Sequence, residues 1–275
     1  MTASRGLTAT QLKYFAAVFM VIDHIGMIFA PLAPLFPADS PWRWVLGYLP
    51  AFRYPGRLAF PIFAYFAAQG CRLTSNYRRY LLRLGLFGAV THAVAYISTG
   101  GTGGSIIATF FLSAAAIGAC RAMKSKGCGW LGVPVTIALL ILAQLLHVDY
   151  GWIGVLTVLA VYAAGTDRRR QLLALAGCLL LYYLAGGLWA YFSPAALGLL
   201  ESRGWAGLLT QLGTYLPSFR RFYLPYSLLM AGFACLALLP LSRYNGQRGN
   251  GSRWFFYWFY PGHLVVLYAL SMLIG

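Results

Sequence analysis

Charge is scarce in this sequence, and acidic residues are the scarcest of all. Only 9% of the 275 residues are charged, with five acids against 21 lysines and arginines, whereas a soluble domain carries about a quarter charged residues. The apolar fraction of 60% and the mean hydropathy of +0.68 exclude a soluble globular surface and a disordered chain. Five cysteines without a Cys-x-x-Cys pair argue against a disulfide scaffold and a zinc site. These absences leave a polytopic membrane protein.

Long apolar runs divide the chain into segments that approach the length of a bilayer crossing. A helix needs ~20 consecutive apolar residues to cross hydrocarbon, and about nine runs come near that length. The sequence therefore predicts an all-α polytopic membrane protein that forms a single domain over residues 1–275. The predicted spans cover residues 11–33, 57–72, 80–98, 105–121, 129–147, 150–165, 171–191, 221–241 and 254–274.

Two connections between the predicted spans are long. Residues 31–56 are rich in proline and carry Trp42 and Trp44, and residues 191–220 carry Trp205. Tryptophan favours the interface between water and lipid. We therefore expect short interfacial or re-entrant helices in both of these outer connections.

Basic residues alternate between the connections, and this alternation predicts the orientation of the chain. Lysine and arginine accumulate on the cytoplasmic side of membrane proteins. The pattern places the N-terminus in the cytoplasm and the C-terminus outside. It also accounts for the net charge of +16 without a nucleic-acid partner. The basic clusters are Arg72 with Arg78, Arg79 and Arg83; Arg121 with Lys124 and Lys126; Arg168 to Arg170; and Arg243 with Arg248 and Arg253.

The first predicted span carries two ionisable residues at hydrocarbon depth, Asp23 and His24. Such groups are costly in lipid, and they mark either a functional site or polar contacts between helices. Lys13 precedes His24 by eleven residues, which is almost three helical turns, so both lie on one stripe with Lys13 at the cytoplasmic end. We expect His24 to be catalytic, with Asp23 orienting its ring or pairing instead with Arg57 or His263.

A second imidazole, His263, falls near the middle of the last predicted span. Pro261 and Gly262 directly precede it and are expected to break the hydrogen-bond ladder of the helix and leave backbone groups free. Arg57 lies at the outer start of the second span, one turn before Pro61, which is expected to kink that helix. Arg57 either extends to the lipid headgroups or stabilises a carboxylate or a developing oxyanion.

The basic residues around the inner end of the second span have two interpretations. Their positive charge alone is explained by membrane orientation. Arginine is also the preferred partner of phosphate groups, so a phosphorylated cofactor in the cytoplasm would bind here. The candidate cofactor-binding residues are Lys13, Arg72, Arg78, Arg79 and Arg83.

Four sequence boxes, taken in order, resemble the TraX family. They read Met20-Val-Ile-Asp-His-Ile, Gly56-Arg-Leu-Ala-Phe-Pro-Ile-Phe-Ala, Asp149-Tyr-Gly-Trp-Ile-Gly-Val-Leu and Tyr257-Trp-Phe-Tyr-Pro-Gly-His-Leu. The resemblance covers most of the chain. It implies a membrane-embedded acetyltransferase that uses acetyl-CoA, because the founding member of the family acetylates the N-terminus of pilin. The first span is also similar to acyltransferase family 3, which carries a basic residue, ten residues and then a histidine.

Acetyl transfer would give a chemical role to several residues of these boxes. Acetyl transfer needs a base, and imidazole suits this task because its pKa is near the operating pH. The expected catalytic residues are His24, Asp23, His263 and Arg57. The residues expected to contact the acceptor, a protein N-terminus or a cell-envelope glycan, are Asp149, Tyr150 and Tyr260. No metal is expected.

Two alternatives stay open from the sequence. A covalent acetyl-histidine relay would replace direct transfer, because imidazole is also a nucleophile. A proton-coupled transporter or channel is the alternative class of function, because it too uses buried Asp, His and Arg residues. Binding of acetyl-CoA separates the acetyltransferase from the transporter.

Overall fold

The computed structural model describes residues 6–101 and 103–274, and their regular structure is helical apart from one isolated bridge between Leu7 and Tyr244. The all-α prediction is confirmed, and the five cysteines are free. The α-helices are α1 (Ala9–Phe29), α2 (Pro41–Tyr48), α3 (Arg53–Gly56), α4 (Ala59–Leu73), α5 (Tyr77–Ser98), α6 (Ile106–Ser125), α7 (Gly132–Leu145), α8 (Gly151–Ala163), α9 (Arg168–Ser218), α10 (Leu224–Leu236), α11 (Leu238–Ser242) and α12 (Arg253–Ile274). Single turns of 3₁₀ helix cover Ala30–Leu35, Leu49–Phe52 and Gly129–Leu131, and a π turn covers Phe219–Tyr223.

The predicted count of about nine crossings is not confirmed. Within the described residues, five helical segments are long and apolar enough to cross a membrane. Helices α4, α7 and α8 have 15, 14 and 13 residues, which is short of the ~20 that a full crossing requires. The five long segments are Ala9–Leu35, Tyr77–Ser98, Ile106–Ser125, Leu209–Ser242 and Trp254–Ile274.

The two long outer connections differ from each other. Residues 31–56 form a series of short helices and turns, as expected. Residues 191–218 are helical and belong to α9, but the non-helical backbone of Gly204, with φ +61° and ψ −164°, divides α9 into two helical segments that meet at a kink. Leucine and alanine are frequent in this stretch, and their high helix propensity favours continuation of the helix.

The two prolines that were expected to disturb a helix lie at different positions in their helices. Pro61 lies in the first turn of α4, which begins at Ala59, and a helix needs no N–H donor at that position. The expected kink in the second span is therefore wrong. Pro261 lies inside α12, where its missing N–H removes one hydrogen bond of the ladder, as expected, although the helix continues to Ile274.

Helix α4 lies at the centre of the packing. It contacts α1, α6, α8, α9 and α10, and its side chains Ile62, Ala64, Tyr65 and Ala68 are almost fully buried. Burial against protein on several sides explains how a helix of this length is accommodated among longer ones. Its first turn therefore has a fixed position relative to α1.

Two glycines allow the segment before α4 to approach α1 closely. A Cβ atom at Gly56 would lie 2.6 Å from Asp23 Oδ1, and one at Gly26 would lie 2.6 Å from the carbonyl oxygen of Leu49. A side chain does not fit at either distance. The close approach at Gly56 brings the next residue, Arg57, beside Asp23.

We expect Gly56→Ala to lower the melting temperature of the purified protein, because the added methyl group forces α3 away from Asp23. Overpacking of this kind costs about 1–3 kcal/mol. The matched control is Gly47→Ala in α2, where a Cβ atom would meet nothing within 4 Å and alanine favours the helix. Thermal unfolding in detergent measures both variants. An unchanged melting temperature in Gly56→Ala would show that α3 moves away without cost.

Candidate active site

Two histidines from opposite ends of the sequence meet between α1 and α12. His24 Nδ1 lies 3.1 Å from His263 Nε2, and the ring centroids are 4.9 Å apart. Each ring also contacts the carbonyl group one turn earlier in its own helix. His24 Nδ1 is 2.8 Å from the oxygen of Met20, and His263 Nδ1 is 2.9 Å from the oxygen of Phe259. The structure thus brings together two of the predicted catalytic residues.

These contacts assign the protons on both rings. A carbonyl oxygen only accepts hydrogen bonds, so Nδ1 of each neutral imidazole carries the proton. His263 Nε2 is then an acceptor for the Nδ1–H of His24, which it shares with Met20. The remaining nitrogen, His24 Nε2, keeps its lone pair. A general base requires such a nitrogen.

Asp23 pairs with arginines and not with the neighbouring histidine. Arg57 Nη2 donates to Asp23 Oδ1 at 2.5 Å, and Arg53 Nε lies 3.5 Å from the same oxygen. Arg57 Nε also donates to the carbonyl of Arg53 at 3.0 Å. Consecutive side chains on a helix point in different directions, so Asp23 faces α3 while His24 faces α12. The sequence left open whether Arg57 extends to the lipid headgroups or stabilises a carboxylate or an oxyanion. In the structure it contacts the carboxylate of Asp23.

A cavity of about 440 Å³ opens beside His24. We call it the outer cavity after the predicted orientation of α1, and we call the cavity at the other end of α1 the inner cavity. Its walls include Asp149, Tyr150, Tyr182 and Tyr260, so all three residues predicted to contact the acceptor lie in one cavity. Protein surrounds Asp149 although its carboxyl group faces this space, and the burial raises the pKa of Asp149 to about 6. The cavity thus combines tyrosine rings, a carboxyl group and the proposed base.

Tyr150 holds an uncommon backbone conformation at this cavity. Its φ is +61°, in the left-handed region that side chains rarely adopt, and its ring stacks on Phe60 with centroids 3.7 Å apart. Tyr150 is also the N-cap residue of α8, and no side chain caps that helix. Asp149 therefore does not cap α8, and it lines the cavity instead.

An inner cavity of about 490 Å³ lies at the other end of α1. Two of the predicted cofactor residues, Lys13 and Arg83, line it, together with Arg248. Lys13 Nζ lies 5.2 Å from the centroid of the Phe66 ring. Tyr260 lines both the inner and the outer cavity and is 5% exposed. The two cavities thus approach each other at Tyr260, beside the histidine pair.

The other three predicted cofactor residues lie outside this cavity. Arg72 donates hydrogen bonds to the carbonyls of Val161, Tyr162 and Gly165 at the end of α8. The last carbonyls of a helix are not fully used by its own N–H donors, so Arg72 adds donors there and its contacts connect α4 to α8. Arg78 and Arg79 are exposed at the start of α5.

Two arginines of the site, Arg53 and Arg248, are not among the site residues predicted from the sequence. Arg53 precedes Arg57 by one helical turn, and this spacing predicts a shared face. Arg248 lies in a stretch with three glycines, Asn245-Gly-Gln-Arg-Gly-Asn-Gly, which is typical of a loop whose backbone closely approaches another group. Both signals were available in the sequence.

A family model described as TraX protein matches residues 8–271. The chain is also 26% identical over 292 residues to the probable fimbrial assembly protein FimC, serogroup H1, of Dichelobacter nodosus, and the match covers 100% of both chains. No solved structure matches the chain. Because the family model covers nearly its whole length, the chain belongs to the TraX protein family.

Proposed function

We propose that this protein is a transmembrane acetyltransferase, which moves an acetyl group from cytoplasmic acetyl-CoA to an amine or hydroxyl acceptor at or beyond the membrane. The observation that carries the proposal is the position of His24. Its ring lines the outer cavity, its Nε2 holds a free lone pair, and Tyr260 beside it also lines the inner cavity. A base between two cavities suits transfer between a donor and an acceptor that enter from opposite sides.

The charges of the two cavities support entry of the donor through the inner cavity and entry of the acceptor through the outer cavity. The inner cavity is lined by Lys13, Arg83 and Arg248, which suits the phosphate groups of acetyl-CoA. The outer cavity carries Asp149 and several tyrosines. We place the inner cavity at the cytoplasmic face of a bacterial inner membrane, in agreement with the positive-inside rule. This puts the N-terminus in the cytoplasm and the C-terminus outside.

In the proposed mechanism, His24 Nε2 takes the proton of the acceptor amine or hydroxyl as the acceptor attacks the thioester carbonyl. The Nδ1–H of His24 keeps its bonds to Met20 and His263, which orient the ring as it becomes charged. When the carbon–sulfur bond breaks, His24 returns the proton to the sulfur. The hydroxyl of Tyr260 lies at the junction of the cavities and donates a hydrogen bond to the developing oxyanion.

The ion pair of Asp23 has a positioning role in this mechanism. Arg57 and Arg53 neutralise Asp23, so Asp23 does not act directly on the imidazole. The pair fixes the segment before α4 against α1 and thereby holds the wall of the outer cavity. His263 Nε2 accepts a hydrogen bond from the Nδ1–H of His24. This contact leaves Nε2 of His24 free for the acceptor.

The acceptor is a surface protein N-terminus or a cell-envelope glycan. The name of the Dichelobacter nodosus relative refers to fimbrial assembly, and this favours a pilin-type protein. Mass spectrometry of the pilin N-terminal peptide and of envelope glycans, from parent and deletion strains, identifies the product by the mass of one acetyl group. Acetyl label that remains on the purified protein without acceptor would instead favour the covalent histidine relay.

We expect His24→Asn to lose most of the acetylation activity. The asparagine amide replaces the Nδ1–H donor towards Met20, but no atom remains at the position of Nε2. Loss of a general base lowers the rate about 10²- to 10⁴-fold. The measurement is the amount of acetylated product in a deletion strain that produces the variant.

The matched control is His92→Asn, since His92 lies in α5 away from both cavities. Both variants must bind acetyl-CoA in detergent with the affinity of the unmodified protein. Wild-type amounts of product with His24→Asn would exclude His24 as the base. An unmodified protein that binds no acetyl-CoA would favour the transporter.

We expect Arg83→Lys to weaken acetyl-CoA binding, whereas Arg79→Lys leaves it unchanged. Both arginines share one face of α5, but only Arg83 lines the inner cavity. Lysine keeps the charge and the membrane orientation but cannot form the forked contact of a guanidinium with phosphate. One lost charged hydrogen bond corresponds to about a ten-fold loss of affinity. Isothermal titration calorimetry in detergent compares the variants, and equal affinities would move the donor site elsewhere on the cytoplasmic face.

A further inference from the structure

The connection between α11 and α12, residues 243–252, is a glycine-rich loop with an ordered backbone. Gly246 and Gly249 have φ values of +81° and +75°, which favour glycine. A Cβ atom at Gly251 would lie 2.7 Å from Thr10 Cγ2, and one at Gly249 would overlap the side chain of Thr8. Two of these glycines are therefore required by the close packing of the loop on the start of α1.

Backbone hydrogen bonds hold this loop against the N-terminal end of α1. The N–H of Leu7 donates to the carbonyl of Arg243 at 2.8 Å, and the N–H of Asn245 donates back to Leu7 at 2.9 Å. The N–H of Thr10 and its hydroxyl both donate to the carbonyl of Arg248, at 3.0 and 2.8 Å. The backbone at Arg248 is thus fixed on the same helix that carries His24.

The other side of the loop faces the inner cavity. Gly246, Arg248, Gly251 and Ser252 are among the residues that line it. Around Gly246 a Cβ atom would meet nothing within 4 Å, so the backbone there is open to a ligand. In the described parts of the chain, the N–H groups of Gly246 and Gly251 donate to no protein acceptor. The loop therefore presents backbone N–H donors to the cavity, and these donors form no hydrogen bond with the described part of the protein.

In the part of the chain that the structure describes, the positive charges at this cavity form no salt bridge with an acidic residue. Within the residues that the structure describes, the salt bridges involve Arg53, Arg57 and Arg170, and none involves Lys13 or Arg248. The Nε atom of Arg83 is buried without a hydrogen-bond partner. Cations that converge on a cavity without an acid favour an anionic ligand with several oxygen acceptors.

We infer that the loop of residues 243–252 is a phosphate-binding loop, in which Arg248 and the open backbone at Gly246 bind the phosphate groups of coenzyme A. This inference rests on the proposed function and assigns one end of the donor to a specific part of the chain. Arg248 forms the forked contact with phosphate oxygens, and Lys13 and Arg83 face the same group from α1 and α5. Because the loop is hydrogen-bonded to α1, phosphate binding positions the donor relative to His24.

The test compares Arg248→Gln with Arg243→Gln in the purified full-length protein. Both arginines lie in the same loop and are exposed, but only Arg248 lines the cavity. Calorimetry in detergent measures the affinity for coenzyme A and for pantetheine, which has the same thiol arm without phosphate groups. We expect Arg248→Gln to bind coenzyme A about ten-fold more weakly with unchanged affinity for pantetheine. Arg243→Gln should match the unmodified protein, and Arg248→Lys should be intermediate.

The outcomes separate this inference from the proposed function. If the unmodified protein binds coenzyme A and Arg248→Gln binds it equally well, the loop assignment is overturned and the proposed function stands. If the unmodified protein binds no coenzyme A, both are overturned. An equal loss of affinity for pantetheine would mean that Arg248 acts on folding of the cavity and not on phosphate.

An anionic lipid headgroup offers the same phosphate chemistry as coenzyme A. Nanodiscs with and without phosphatidylglycerol distinguish the two sources. We expect the lipid to have little effect on the affinity of the unmodified protein for coenzyme A. If Arg248→Gln loses bound phosphatidylglycerol while its affinity for coenzyme A is unchanged, the loop binds lipid and the inference is wrong.

Discussion

The ion pair between Asp23 and Arg57 is the interaction on which the arrangement of the site depends. The chain contains only five acids, and one of them lies within the first apolar helix. An unpaired carboxylate at that depth would be strongly unfavourable. Pairing with Arg57 removes this cost only because Gly56 permits contact between α3 and α1. The pair thereby fixes the start of α4 against α1, and the neighbouring His24 is turned towards α12.

This arrangement gives one helix two chemical environments. The first part of α1 contributes Lys13 to a basic cavity, and its later part contributes His24 to a cavity with a carboxyl group and tyrosines. Tyr260 of α12 lies where the two cavities approach each other. In the proposed reaction, a donor and an acceptor of very different polarity would bind in separate cavities while the reacting atoms meet near one imidazole. Such a separation would also limit the access of water to the donor, which otherwise competes with the acceptor.

Much of the fold class and part of the site follow from the sequence, for identifiable reasons. Low charge and long apolar runs are enough to predict helices, and ionisable residues in such runs are rare enough to point to Asp23, His24 and His263. The number of crossings could not be counted in the same way, because α4 is short and is buried by other helices instead of lipid. The partner of Asp23 depended on a glycine contact between two helices, which hydropathy does not reveal. The glycines around Arg248 indicated a loop in close contact with another group, but only the hydrogen bonds between this loop and α1 showed that Arg248 lies at the inner cavity.

The most direct test of the account is the sidedness of acetyl transfer. Sealed inverted vesicles expose the cytoplasmic face of the membrane, and right-side-out vesicles expose the outer face. Each preparation, containing the protein and its native envelope material, receives acetyl-CoA labelled in the acetyl group. The account predicts label in the protein or glycan fraction of inverted vesicles, at a site protected from added protease or glycosidase, and no label in right-side-out vesicles. Absence of label from inverted vesicles that bind acetyl-CoA, or label on the same side as the donor, would contradict it.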